Sequence, residues 1–450
     1  MAKSKQKFIC QNCEAVFYKW AGRCENCGEW NSLVEQTLPE MGRSAVARSI
    51  NNGKPLQVNS LNSIPFEEGM KRLKTGIGDL DVILGGGILP GGVTLLAGQP
   101  GIGKSTLLLQ TVSNIAHNYD VLYISGEESA GQVRLRAVRL GADKSSNLNF
   151  AASTSADDIA ATIRTGKYQL VVVDSVQTLH LNEITSSPGS ISQITNSSNV
   201  IINAAKETGT SVIFVGHVTK EGSIAGPKIL EHLVDVVLQF EGDRYGGFKI
   251  VRAVKNRYGS TNEAAIFEMG EKGLKIVENP SAALLAERRD EDGSVVLATL
   301  EGARPLLVEI QALVNSTNFG YPKRTASGFD INRLNLLIAV LERRTKLKLS
   351  DKDIYINVVG GIKISDPAAD LAICMAIASA SAGRRLNYGT VVFGEVGLGG
   401  EVRSVTSIEK RIAEAKKLGF TKALAPRTSK DDFIIGVDNV RSTLIEYLQK

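Results

Sequence analysis

The chain has 450 residues, 43% of them apolar and 22% charged, which excludes a disordered or fibrous protein and predicts two or three globular domains. No apolar stretch reaches the ~18 residues of a membrane span, and the basic start runs into cysteines instead of an apolar signal core, so a cytoplasmic protein is expected. The net charge of +5 is compatible with nucleic acid without requiring it.

Residues 1–34 carry Cys10, Cys13, Cys24 and Cys27 as two Cys-x-x-Cys pairs. Each pair can turn two thiolates toward one ion, and four thiolates suit tetrahedral Zn²⁺. Disulfides are the alternative, disfavoured in a chain without a secretion signal. All four ligand positions are filled by protein, so the zinc is structural. Trp20 and Trp30 are expected to cover a core too small to fold on apolar burial alone. Lys7, Lys19 and Arg23 offset the thiolate charge or contact a partner. Cys374, within an apolar run, is expected simply to be packed. Residues 35–65 turn polar and read as a linker.

Residues 66–278 alternate apolar runs (93–97, 121–125, 170–174, 212–216 and 234–240) with amphipathic stretches. That alternation predicts a mostly parallel sheet with helices on both faces, extended by a strand pair at 248–254 and 264–268. Between the first strand and the first helix lie Gly98, Gln99, Pro100, Gly101, Ile102, Gly103, Lys104, Ser105 and Thr106. This is a complete phosphate-binding loop in its required strand–loop–helix setting. Its backbone N–H groups would close around the phosphates of ATP, with Lys104 on the β- and γ-phosphates and the Ser105 hydroxyl on Mg²⁺.

Asp174 ends an apolar run and is expected to orient the Mg²⁺ shell beside Ser105. Glu127 and Glu128 end the strand between those two motifs. Glu127 is the expected polariser of the attacking water, and helix capping is the alternative for both acids. His217 ends a further strand, where a polar group could sense the γ-phosphate or be merely structural. The polar stretches 178–198 and 222–227 read as loops from one sheet face that could meet DNA. Arg134, Arg136 and Arg139 could contact phosphates or pair with acids on a neighbour.

These residues resemble the bacterial RadA (Sms) family of recombination and repair proteins over essentially the whole chain. The four-cysteine module with Lys19-Trp20-x-Gly22, then Arg72-x-x-Thr75-Gly76, Leu84-Gly-Gly-Gly87, the phosphate loop, Asp174-Ser175 and Lys255-Asn-Arg257-Tyr-Gly259 carry the resemblance. Glu14 departs from the family's glycine after the second cysteine. The resemblance implies an α/β fold with a RecA-like P-loop ATPase core at 66–278, the small N-terminal zinc module, and an α+β Lon-protease-like domain at 285–450. It further implies a hexameric ring with a helicase-type role, driving branch migration on single-stranded and branched DNA alongside the RecA recombinase at the nucleoid. Lys255 and Arg257 could then reach a neighbouring subunit's γ-phosphate or bind DNA phosphates, and the interface role is favoured.

By similarity to Lon, the nucleophile position holds Ala368, and counting from Gly394 places the catalytic lysine at Glu409. Neither residue can form a Ser–Lys dyad, so proteolysis is not expected. Arg333, Lys346, Lys348, Arg384 and Arg385 are candidates for a DNA-facing basic surface, each equally readable as a solvated charge.

Overall fold

The computed structural model describes residues 7–10, 15–30, 32–36, 60, 71–217, 229–242, 247–317, 320–427 and 431–448. The N-terminal module is a three-stranded antiparallel sheet with β1 (Lys7–Cys10) between β2 (Val16–Phe17) and β3 (Leu33–Gln36). Its apolar cluster is small: Cys10, Cys24 and Leu33, with Phe8, Ala15, Phe17 and Ala21 packed against them. Trp20 and Trp30 do not cover that cluster. They are 62% and 68% exposed, and the Arg23 guanidinium lies 5.8 Å from the Trp30 ring centroid. Most of the linker, Cys13 and the 222–227 segment lie outside the described residues.

The central sheet contains β4 (Val93–Gly98), β5 (Val121–Ser125), β6 (Leu148–Ala152), β7 (Leu170–Asp174), β8 (Ser211–His217) and β9 (Val236–Gly242). The strands β10 (Lys249–Asn256), β11 (Ala264–Gly270) and β12 (Gly273–Ile276) complete it. The order is β12-β11-β10-β9-β4-β8-β7-β5-β6, parallel from β9 to β6 and antiparallel beyond. The continuous apolar runs of β4, β5 and β7 are buried throughout, as helices on both faces require. Two apolar clusters lie on opposite sides of the sheet, because alternate residues such as Leu95 and Leu96 point to different faces.

The polar stretch 178–198 is only partly a loop. Its second half belongs to the helix Ile191–Thr208, capped by the Ser190 hydroxyl. Ser197 and Ser198 are fully buried on the same face as Ile194 and Ile201. Gln193 organises what remains of the loop, its amide bonding Leu181, Ile184 and Ser186 main-chain groups at 2.9–3.3 Å.

The C-terminal region is built on a seven-stranded sheet with the helix Ala369–Ala382 packed on it. It is not a detached unit. Ile250, Ala264 and Ile266 of the central sheet's outer strands, with Val277 just beyond β12, share one apolar cluster with this region. Arg304 pairs with Asp79 at 2.8 Å, and Arg252 pairs with Glu301 at 3.0 Å. The antiparallel strands of the ATPase sheet therefore serve as the floor on which the C-terminal domain sits.

Candidate functional site

The C-terminal ends of β4, β8, β7 and β5 are neighbours, so the residues that follow them meet at one sheet edge. Helix Lys104–Ile115 starts directly after the loop, with Gly103 at φ 118° as its N-cap. Gly101 also has positive φ, at 76°. The loop admits no side chain at its root, since a Cβ at Gly98 would lie 2.7 Å from the Phe240 carbonyl oxygen. Lys104 is buried and donates to the carbonyls of Gly98 at 2.8 Å and Gln99 at 3.0 Å. Burial lowers its pKa to about 8, against the raising influence of the Asp174 and Glu127 charges. A loop of turned N–H groups around a partly desolvated ammonium fits a polyphosphate.

The acids fall into place around that ammonium. Asp174 Oδ2 accepts from the Ser105 hydroxyl at 2.8 Å and from the Tyr123 hydroxyl at 2.6 Å. A hydroxyl and a carboxylate held together are a donor set suited to Mg²⁺. Glu127 Oε1 accepts from the Ser175 hydroxyl at 2.5 Å. The His217 ring bridges the two halves, with Nδ1 at 3.1 Å from Lys104 Nζ and Nε2 at 3.3 Å from Glu127 Oε1. The ammonium can only donate, so Nδ1 accepts and the ring proton sits on Nε2, facing the carboxylate. The hydrogen bond from His217 lowers Glu127 to about 2, with Ser175 and the Lys104 charge assisting against the cost of burial. Tyr123 and Ser175 were given no role from sequence, Ser175 entering only as part of the Asp174-Ser175 motif. Tyr123 is two residues before the end of an apolar strand, and its hydroxyl was the readable signal.

Glu128 is separate from this network. Arg136 holds it through two bonds of 2.5 and 2.8 Å, so that arginine pairs within its own chain. Arg134 and Arg139 are exposed.

Lys255 and Arg257 lie elsewhere. Leu95, Val237 and Lys255 are level across β4, β9 and β10, and Arg257 bonds Asp235, which is level with Val93. Val93 is five residues from Gly98 and Leu95 three, about 17 and 10 Å along the strand, so Arg257 sits at the edge opposite its own phosphate loop and Lys255 on the same side of the sheet's middle.

In the zinc module the thiols of Cys10, Cys24 and Cys27 lie within 4.8 Å of one another, with Cys10 Sγ and Cys27 Sγ at 3.6 Å. Zn–S bonds of about 2.3 Å in a tetrahedron place sulfurs ~3.8 Å apart, so these three thiols fit zinc.

In the C-terminal domain Ala368 is buried at the start of its helix. Glu409 does not face it; its side chain is exposed. Two residues further along the same helix, Arg411 points inward instead, fully buried. It pairs with Asp366 at 2.7 Å, and Asp366 Oδ1 accepts the Ala368 N–H at 3.0 Å. Arg411 is thus a cation tied to the Ala368 turn, and counting along the chain missed it because the helix turns Glu409 outward. Arg333 is bound to buried Asp370, and Arg385 pairs with Asp290 at 3.2 Å. Lys346 and Lys348 are exposed and Arg384 is half-buried.

Three family models match the chain: an AAA domain over residues 68–223, subunit ChlI of Mg-chelatase over 334–429, and a rubredoxin metal binding domain over 8–35. The DNA repair protein RadA of Bacillus subtilis (strain 168) is 48% identical over 457 residues, covering 99% of both chains. The protein of the same name from Pseudomonas aeruginosa is 46% identical over 427 residues, covering 95% of this chain and 94% of its own. That of Listeria monocytogenes is 45% identical over 456 residues and 99% of both chains. The core is a RecA-like ATPase that uses ATP and Mg²⁺, joined to a zinc ribbon and a ChlI- and Lon-like C-terminal domain. The chain belongs to the RadA family of bacterial DNA repair proteins.

Proposed function

We propose that the chain is a DNA-dependent ATPase motor of helicase type. It acts on single-stranded and branched DNA at the nucleoid, promotes branch migration beside the RecA recombinase, and works as a hexameric ring. The observation that carries this reading is the placement of Lys255 and Arg257 toward the sheet edge away from their own phosphate loop. Cations level with Leu95 and Val93, about 10 and 17 Å along the strand from their own phosphate loop, are placed to serve hydrolysis from a neighbour, which makes assembly part of the chemistry.

In each site the loop 98–106 takes the phosphates and Lys104 exchanges its two carbonyl partners for β- and γ-phosphate oxygens. Ser105 and Asp174 would hold Mg²⁺, which neutralises phosphate charge when bound. Glu127, ionised at neutral pH, orients the attacking water, and Ser175 keeps that carboxylate aimed. His217 touches both Lys104 and Glu127, so arrival of a γ-phosphate between them would alter its two bonds at once. Lys255 and Arg257 of the adjoining subunit stabilise transition-state charge. The C-terminal domain adds assembly contacts and, through Lys346 and Lys348, charge facing DNA. It has no proteolytic role: Ala368 lacks a nucleophile, and Arg411, a guanidinium bound to Asp366, takes no place as a neutral amine base.

The test is hydrolysis with and without single-stranded DNA, in wild type and Lys104→Ala. DNA stimulation lost in the variant supports the motor. ATP-dependent assembly with no stimulation would favour a switch that binds ATP without translocating.

A further inference from the structure

Asp235 immediately precedes β9, at the sheet edge away from the phosphate loop, and its side chain is 5% exposed. A carboxylate so buried stays ionised only with several donors around it. Both of its oxygens are supplied. Oδ2 accepts from the Val93 N–H at 3.0 Å and from Lys206 Nζ at 2.5 Å, and Oδ1 accepts from Arg257 Nη1 at 3.3 Å. The main chain is pinned as well: the Asp235 N–H donates to Val93 O at 2.9 Å, and the Arg257 N–H donates to Asp235 O at 3.1 Å. Asp235 is therefore a post rooted in the central strand β4 that grips Arg257 by backbone and side chain together.

The same short segment holds the companion cation. Lys255 Nζ donates to the carbonyls of Glu231 at 2.6 Å and Val234 at 2.8 Å. Burial works against charge on Asp235, yet the bonds from Lys206 and Val93 keep its pKa below the usual carboxylate range. The acid thus remains an anion at neutral pH.

We propose that Asp235 is a positioning residue for the trans-acting turn, aiming Arg257 at the γ-phosphate of the adjoining subunit. This rests on the reading of Lys255 and Arg257 as interface cations. More than half of the Arg257 side chain is exposed, and an unrestrained arginine loses rotamer entropy when captured. A buried anion behind the guanidinium removes part of that cost before the subunits meet. The 3.3 Å contact is longer than the about 2.7–2.9 Å of a strong charge-assisted bond. It orients the side chain while leaving it able to yield to phosphate. Lys206, bound at 2.5 Å, keeps Asp235 satisfied when Arg257 leaves.

Full-length Asp235→Asn tests this, since the amide oxygen still accepts the Val93 N–H while the charge is gone. DNA-stimulated hydrolysis should fall about 10- to 100-fold, the scale of a misplaced catalytic group. Affinity for a fluorescent ATP analogue should match wild type. Mixed with Glu127→Gln subunits, the variant should exceed the sum of the two proteins alone, as an Arg257→Ala mixture should. A merely structural role would weaken analogue binding and give no rescue. If Asp235→Asn fails to bind the analogue, Asp235→Ser takes its place, its small hydroxyl still facing Val93. Wild-type turnover in Asp235→Asn overturns the proposal, as does rescue for Arg257→Ala but for neither Asp235 variant. Failure of the Arg257→Ala mixture itself, with co-assembly established, removes the trans reading and the proposal with it.

Discussion

In the proposed function Lys104 is the group whose charge the nucleotide requires, and its burial opposes that charge. In the nucleotide-free chain its pKa is lowered to about 8. Phosphate oxygens around the ammonium will raise it again, so binding above that pH must take up a proton. The weakening is one plus ten raised to the difference between pH and pKa: about twofold at pH 8 and about tenfold at pH 9. Titration calorimetry in buffers of different ionisation enthalpy should find about 0.9 proton taken up per nucleotide at pH 9, and almost none at pH 7. Lys104→Arg keeps its charge throughout this range and should bind weakly with no proton uptake. For the empty chain the stability effect has the opposite sense. Its folded pKa lies below the ordinary lysine value of 10.5, so protonation penalises the fold, and that penalty is relieved as pH rises from about 8 to 10.5. Flat affinity from about pH 7 to about pH 9.5 with no proton uptake would refute this reasoning.

Other outcomes follow from the same geometry. Cys27→Ser should lower bound zinc by elemental analysis and loosen the module to proteolysis, while basal ATP hydrolysis survives; unchanged zinc content would refute the thiolate site. Arg411→Ala leaves the largely buried Asp366 without its cation and should cost about 3 kcal/mol, read as a lower urea midpoint for the C-terminal domain; an unchanged midpoint would contradict the pairing. Ala368→Ser should create no casein cleavage, because no neutral amine base stands beside it, and measurable cleavage would overturn that view. Ending the chain near residue 285 should yield an aggregating product, because it uncovers Ile250, Ala264 and Ile266; a stable monomer that binds ATP analogue would show that the shared cluster is dispensable.

The central sheet was legible because its strands are short, wholly apolar runs between punctuating residues. Runs at 93–97, 121–125 and 170–174 reappear as β4, β5 and β7 with shifts of at most one residue. The edge strand β6 was not readable, since Leu148–Ala152 is half-buried and carries Asn149. The stretch 191–198 read as loop because its serines and asparagine are poor helix formers. The buried face of Ile194 and Ile201 overrides that propensity. The phosphate loop, Glu127, Asp174 and His217 could be brought to one edge from strand ends alone. The supporting hydroxyls of Tyr123 and Ser175 could not, because their roles depend on side-chain direction across neighbouring strands. Asp235 was hidden for the same reason: it looks like a strand boundary until Val93, Lys206 and Arg257 close around it.

The most direct test of the account is strand displacement on forked and three-strand DNA by the full-length protein with Mg²⁺ and ATP. ATP-dependent displacement should occur with wild type and vanish with Lys104→Ala, although the variant still binds DNA. Displacement that persists in Lys104→Ala, or wild-type protein that hydrolyses ATP on these substrates without moving a strand, would contradict a motor driven from this site.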